Sequence, residues 1–399
     1  MRKEWSKISL VFFFLVALIG TLLRSAPFIG IPLEYANLVH AHSHVAFQGW
    51  VYTVMLLLLT TVFLKPGQIK RGLYPLQFKL TVIVVIGVLI SFSLQGYALY
   101  SIIFSTLFQL LNYWFIFRFL KDLKSYEPIV RNSISLRFVK TGLWLGLLST
   151  VLPFGIGYLS AKGFAGTEAY QSLVYSFLHL QYNGWFLFVV LGLILRFLDT
   201  KGISYHQKYM SLFYWFMTIA VIPAIALSLL GMEFVAFALA PAIVSAIFLS
   251  IAIVSFIKAL PGNLIRTYKA KSIGSELFFT AFVISFILKM LLQILSVLPL
   301  FKTYAFFNKP IIIAYLHLSL IGTISFLLLA MMIEMKWLDT KGVAKAGSLL
   351  LILGFVATEC LLVLTGFGIY YNVIALIIGS MAMAVGILFM LFSRVSKIA

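Results

Sequence analysis

Long apolar stretches alternate with short polar connections along the whole chain of 399 residues. A membrane-spanning helix needs about 20 mostly apolar residues. Twelve stretches of this kind lie at roughly 8–28, 39–64, 77–97, 98–120, 137–160, 170–198, 210–231, 233–258, 273–300, 310–335, 346–368 and 370–394. The connections between them are too short for a soluble domain. The pattern therefore predicts an all-α polytopic membrane protein, with twelve transmembrane helices in one transmembrane domain over residues 1–399.

Composition and charge agree with this prediction. Hydrophobic residues make up 62% of the chain and charged residues 10%, whereas soluble domains have about 45–50% and about 25%. A net charge of +19 would also fit a nucleic-acid partner. The cations, however, lie in the connections: with the N-terminus inside, 25 of the 30 Lys and Arg residues are on the inner side and four on the outer side. Because cytoplasmic loops of membrane proteins carry this excess, we predict a bacterial inner-membrane protein with both termini in the cytoplasm, a lipid bilayer as partner and no nucleic acid.

Five of the six histidines lie in the second, sixth and tenth predicted helices, in the half nearer the outer face. They are His40, His42 and His44 in the second helix, His179 in the sixth and His317 in the tenth. Polar groups at membrane depth are costly and usually mark function, and imidazole is a common ligand of iron, copper and zinc. These histidines are therefore candidate metal ligands. A single histidine in a span can equally donate an interhelical hydrogen bond, and for His179 and His317 that alternative stays open.

A short motif repeats around these histidines. In each of the three helices a glycine follows a histidine after four residues, as His44 and Gly49, His179 and Gly184, and His317 and Gly322. The segment Leu-Asp-Thr-Lys-Gly also occurs twice, at 198–202 and 338–342. Since the motif returns every four helices, we predict three parallel four-helix units, at roughly 1–136, 137–272 and 273–399. A pseudo-threefold axis along the membrane normal would relate them, as parallel repeats are known in membrane folds.

Helical geometry assigns neighbours to these histidines. Successive residues turn by about 100°, so His40 and His44 share a face and His42 points about 200° away from them. Residues four apart lie one above the other, which places Gln48 below His44. In the same way Asn183 lies below His179. We predict that both amides hydrogen-bond to the imidazoles and fix their tautomers, and that Glu34 is close enough to the second-helix histidines to be a ligand or proton acceptor.

These residues resemble two families of membrane protein. Twelve helices with metal ligands on the second, sixth and tenth resemble the catalytic subunit of haem–copper oxidases and nitric-oxide reductases. The chain is similar, more closely in size, to the NnrS family of haem- and copper-associated proteins of the nitric-oxide response. The stretch from His42 through His44 to Gly49 resembles the His-Ala-His-x4-Gly stretch of that family, and His317 to Gly322 resembles its His-x4-Gly stretch.

The resemblance implies a cofactor and its ligands. One haem b would bind between His42 or His44 and His317, with its propionates directed to cations such as Arg24, Lys302 or Lys309. Copper or another non-haem metal would use His40, His44, His179 and His317. The ligand set departs from that of the oxidases, since the tenth helix has one histidine rather than two and the seventh has none. Tyr182 follows His179 by three residues rather than four, although it still lies close enough to support the site.

The resemblance also implies a function. The protein would bind, sense or reduce nitric oxide or a related diatomic gas such as O₂, as a nitric-oxide-reductase-like oxidoreductase if it is an enzyme. Electrons would come from a quinol or a cytochrome, and the incomplete ligand set predicts little oxygen reduction. The alternative function is a transporter or delivery factor for haem or a transition metal.

Overall fold

The computed structural model describes residues 4–232, 235–261 and 273–392, without the side chains at 128, 129, 235, 273, 274, 302, 303 and 305. The chain is 83% helical, and the described residues contain no strand. The predicted all-α class is therefore confirmed, and the protein is a polytopic membrane protein.

Among the described residues, twelve helices of 14 residues or more are numbered in chain order. They are α1 (Trp5–Ser25), α2 (Tyr35–Phe63), α3 (Tyr74–Gln95), α4 (Leu99–Leu123), α5 (Ile134–Ala161), α6 (Glu168–Thr200), α7 (Gln207–Ala220), α8 (Val235–Ala259), α9 (Ile273–Leu295), α10 (Lys309–Glu334), α11 (Val343–Gly366) and α12 (Val373–Phe392). Short helices also occur at Pro66–Arg71, Pro128–Arg131 and Pro299–Phe307. Each of these begins with proline, whose fixed φ angle and missing N–H suit the first helical position.

The seventh helix is shorter than predicted. Eleven helices in the described part of the chain are long and apolar enough to cross a membrane, but α7 has only 14 residues and continues as a 3-10 helix, Pro223–Ser228. Fourteen residues span about 21 Å, against a hydrocarbon core of about 30 Å. Pro223 explains the end of α7, because proline supplies no N–H to the helix and its ring clashes with the preceding turn. The count of twelve spans is thus not confirmed.

The helices belong to two compact bodies. The first comprises residues 1–126, 272–278 and 328–399, and the second comprises residues 127–271 and 279–327. The predicted division into three four-helix units stays a prediction.

In the first body, α11 and α12 pack along two pairs of glycines. A Cβ atom at Gly354 would lie 2.6 Å from the carbonyl oxygen of Gly379, and one at Gly347 would lie 2.5 Å from that of Gly386. The glycines of each helix are seven residues, about two turns, apart, so both pairs lie on one interface. The two backbones therefore approach closely, as small residues allow between membrane helices.

In the second body, aromatic rings from three helices pack together. The ring centroids of Phe213 in α7 and Phe256 in α8 are 5.0 Å apart, and that of Phe286 in α9 is 5.1 Å from Phe256. All three rings are buried. This cluster fixes α7 beside α8 and α9.

The three histidine-bearing helices are the most deeply buried of the eleven candidate spans. Within an apolar window of 18 residues in each helix, the buried share is 94% in α6, 72% in α2 and 56% in α10, against 28–44% in the other eight. Because polar groups in a membrane protein avoid lipid, this is the location that functional histidines require.

Candidate functional site

In each of the three histidine-bearing helices, the histidine of the repeated motif immediately precedes a π-helical segment. Val45–Val51 follows His44 in α2, Leu180–Phe186 follows His179 in α6, and Leu318–Ser325 follows His317 in α10. π-Helical turns are rare, and they are found frequently at functional sites. Three of them at the same position of one motif show that the repeat in the sequence is also a repeat of backbone structure.

The glycine and tryptophan of the motif pack in the same way in α2 and α6. A Cβ atom at Gly49 would lie 3.0 Å from Phe12 of α1, and Trp50 stacks on Phe13 at 4.3 Å. A Cβ atom at Gly184 would lie 3.2 Å from Leu145 of α5. Correspondingly, Trp185 lies against α5, 2.8 Å from where Gly146 would carry a Cβ atom. The glycines therefore allow the preceding helix to approach, as their position in the motif predicts.

His42 faces α1. Its Nδ1 atom lies 3.0 Å from the carbonyl oxygen of Val16, and its Cε1 atom would lie 3.0 Å from a Cβ atom at Gly20. Because a carbonyl only accepts, Nδ1 carries the proton and Nε2 carries the lone pair. A backbone carbonyl bound to Nδ1–H is the arrangement that orients many metal-binding histidines.

His40 and His44 lie on the other side of α2 and share an aromatic pocket, as the helical spacing predicts. Tyr97, in the connection between α3 and α4, is edge-on to both rings, with centroid distances of 4.7 Å to His40 and 5.7 Å to His44. Phe92 of α3 stacks on His44 at 4.1 Å. Both imidazoles are half-buried. The second-helix histidines are thus divided between α1 and the α3–α4 side.

Both nitrogen atoms of His44 have hydrogen-bond partners. Gln48 lies one turn below, and its Nε2 atom donates to Nδ1 over 3.3 Å. Nε2 of His44 lies 2.9 Å from the hydroxyl oxygen of Tyr97. In this arrangement Nε2–H donates to Tyr97, and the contact predicted for Gln48 is present.

His179 has the same kind of partner within its own helix and a different partner outside it. Asn183 donates from Nδ2 to Nδ1 over 3.1 Å, and Nε2–H donates to the carbonyl oxygen of Val221 over 2.9 Å. That carbonyl is available because α7 has ended, and the amide of Ile225 bonds to Ile222 instead. His179 is 1% exposed, and its ring joins α6 to the end of α7.

The hydrogen-bond partner from a neighbouring segment determines which tautomers His44 and His179 can adopt. A tyrosine hydroxyl both donates and accepts, so His44 can exchange tautomers if the amide of Gln48 turns over. Gln48 Oε1 is buried and has no other partner among the described residues, so this rotation breaks no further bond. The Val221 carbonyl can only accept, which keeps the proton of His179 on Nε2. His44 can therefore present Nε2 as a lone pair, whereas His179 can do so only by losing its bond to Val221.

The π-helical segments of α6 and α10 contact each other in the second body. Tyr182 of α6 lies edge-on to Tyr315 of α10, with ring centroids 6.4 Å apart. Tyr315 is two residues before His317, which is half-buried at the end of the α-helical part of α10. Tyr182 thus lies beside the helix that carries His317.

A buried lysine and a half-buried arginine lie on other membrane helices. Lys289 of α9 is 2% exposed and donates to Gln293 over 2.8 Å. Arg24, at the end of α1, donates to Ser380 Oγ over 2.5 Å and to the carbonyl oxygen of Leu376 over 3.2 Å. It also interacts electrostatically with Glu359 of α11. Arg24 therefore joins α1 to α12, and the predicted propionate partner Lys302 has its side chain outside the described residues.

The remaining predicted site residues are not gathered into a metal centre. Glu34 is exposed at the start of α2, and its side chain makes no capping hydrogen bond. Across residues 4–232, 235–261 and 273–392, no group of three or more His, Cys, Asp or Glu side chains is close enough together to hold a metal ion. What the structure brings together is His42, His44 and His179, each with its own hydrogen-bond partners.

Sequence reasoning missed Tyr97 and Val221, which lie 53 and 42 residues from the histidines that they contact. A tyrosine at the end of the third predicted helix was a visible signal for the first, whereas a backbone carbonyl leaves no signal in a sequence. Compared with known proteins, the chain matches no family model, and it matches no curated protein.

Proposed function

We propose that this protein is a haem-binding integral membrane protein that interacts with nitric oxide or a related diatomic gas such as O₂. The observation that carries the proposal is the position of the histidines. On each of the three most buried candidate spans, a histidine lies directly before a π-helical segment. Structural hydrogen-bond donors need no such repeated backbone feature, whereas π-helical turns are frequent at functional sites.

The chemistry of the donor set fits a haem iron. His42 has its proton on Nδ1 and its lone pair on Nε2, and His44 reaches the same state by one amide rotation. One of these two histidines is the proposed ligand on α2, and His317 is the proposed ligand on α10. His179 keeps its proton on Nε2, so we assign it to positioning of α6 and α7 rather than to the haem.

Residues of the chain would orient the haem and tune its iron. Bound haem would supply an iron that histidine holds and that interacts with the gas. The Val16 carbonyl, by accepting from His42 Nδ1–H, increases the basicity of Nε2. Gly20 leaves room for the ring of His42. If the protein turns over, its electrons would come from a quinol or a cytochrome.

The cellular location is part of the proposal. The excess of Lys and Arg in alternate connections, 25 against four, supports cytoplasmic termini and a bacterial inner membrane. A gas ligand dissolves readily in the bilayer and would reach the histidines from it.

The test is the absorption spectrum of the purified full-length protein, with haem and metal analysis. We expect a Soret band with about one haem b per chain. His317→Ala should abolish it, and so should His42→Ala or His44→Ala. His206→Ala is the matched control, because His206 is exposed outside the long helices and should leave the band unchanged. Consumption of nitric oxide with a reductant then distinguishes an enzyme from a sensor.

Two results would replace this proposal. A colourless protein that binds zinc or copper reversibly would favour a transporter or delivery factor for metal. A Soret band that survives all three substitutions would remove the histidines from the ligand set. Metal analysis of the coloured protein also tests for copper or another non-haem metal.

A further inference from the structure

A stripe of polar side chains runs along one face of α4, inside the first body. Ser105, Gln109 and Asn112 are spaced by four and three residues, so they lie within about 60° of one another around the helix. Ser105 Oγ, Gln109 Nε2 and both amide atoms of Asn112 are buried and have no hydrogen-bond partner among the described residues. Asn112 is 0% exposed. A neutral amide that is left entirely unpaired in a membrane interior is costly.

The α4 stripe, Ser105, Gln109 and Asn112, lies near polar side chains of α2. Tyr52 is edge-on to Phe108 and Phe115, at 4.9 Å and 6.1 Å. These two phenylalanines lie one turn before and one turn after Asn112, so Tyr52 approaches α4 at the level of that residue. One turn earlier in α2 is Gln48, whose buried Oε1 atom also lacks a partner in the described part of the chain.

The unpaired atoms identify the ligand by their chemistry. They include amide donors, at Gln109 and Asn112, and amide acceptors, at Gln48 and Asn112. A bound cation would need acceptors alone and an anion would need donors alone, whereas water satisfies both kinds. Buried waters typically make about three hydrogen bonds to polar groups that have no other partner.

We propose that the interface of α2 and α4 holds a file of ordered water molecules, from Asn112 to Gln48. Gln48 hydrogen-bonds to His44, and His44 to Tyr97. The file therefore ends beside the imidazole of His44. It does not depend on haem.

Hydration can be measured by radiolytic labelling of the full-length protein in detergent, because hydroxyl radicals formed from bound water label adjacent side chains even where bulk solvent is excluded. We expect Tyr52, which is 2% exposed, to be labelled. Tyr74 is the matched control, since it is equally buried in the same body and its hydroxyl bonds to Asp122. Labelling of Tyr52 should exceed that of Tyr74 at least severalfold.

The variant Asn112→Leu distinguishes an interface that contains water from one that does not. If waters satisfy the amide, leucine displaces them, so Tyr52 should lose its labelling and the Tm should not rise. Asn112→Ser keeps a polar group and should keep the labelling, which guards against an effect of misfolding. Equal labelling of Tyr52 and Tyr74 would overturn the proposal. So would a higher Tm for Asn112→Leu, because removing an unpaired dry amide stabilises a protein.

Discussion

His179 offers the sharpest test of the distinction between a positioning histidine and a ligand. Its ring joins two groups from different parts of the chain, the carbonyl of Val221 and the side-chain amide of Asn183. His179→Ala leaves both groups buried without this partner, at a cost of about 1–3 kcal/mol each, and also leaves a cavity. We expect the free energy of unfolding to fall by about 3–5 kcal/mol.

His179→Gln is the conservative variant. The Nε2 atom of glutamine extends about as far as Nε2 of histidine, so it can still donate to Val221. The loss of free energy should then be about 1–2 kcal/mol, from the weaker contact with Asn183. A ligand role predicts something different, because a glutamine amide is a poor ligand for haem iron.

The assay combines two measurements on the purified protein. Unfolding in sodium dodecyl sulfate, followed by tryptophan fluorescence, gives the free energy, and the absorption spectrum gives cofactor content. We expect His179→Gln to be folded with an unchanged Soret band. The reasoning fails if His179→Ala is as stable as His206→Ala, the exposed control. It also fails if His179→Gln stays folded but loses its colour, since His179 would then be a ligand.

Two further predictions concern the packing of the first body, each with a comparison variant. Gly354→Ala should lower the free energy of unfolding by about 1–3 kcal/mol, because its Cβ atom would lie 2.6 Å from a backbone oxygen of α12. The same change at Gly157, a helical glycine with open space around it, should be neutral or slightly stabilising in the same unfolding assay. Arg24→Leu should cost about 1.5–3 kcal/mol, because it removes charged hydrogen bonds between α1 and α12. Ser380→Ala removes one partner of Arg24 and should cost less, and equal Tm values for the two variants would contradict this account.

The helices were predictable because length and apolar content alone determine whether a segment can span a bilayer. The one clear departure, α7, has a local cause in Pro223. The apolar stretch continues past this proline, so hydropathy predicts one span where the backbone changes to a 3-10 helix. Hydropathy measures the preference of side chains for lipid, and it does not register a missing N–H group.

The partners of the histidines were predictable within one helix and not beyond it. A spacing of four residues placed Gln48 beside His44 and Asn183 beside His179, and both hydrogen bonds are present. The π-helical segments were not predictable, because an i→i+5 pattern differs from the α-helical one by a single residue in each turn. Three segments of apolar sequence contain nothing that distinguishes the two patterns.

The repeated motif therefore repeats a backbone and not a chemical role. His44 and His179 each precede a π-helical segment and each accept a hydrogen bond from an amide four residues later. What separates them is the partner from a neighbouring segment, a hydroxyl that can reverse its role for His44 and a carbonyl that cannot for His179. These second partners, Tyr97 and Val221, are distant from the histidines in the sequence. The motif alone therefore assigns both histidines the same function. With the partners known, the two histidines receive different roles. His44 in α2 is predicted to be a ligand that can change tautomer, and His179 in α6 is predicted to be a fixed link between helices.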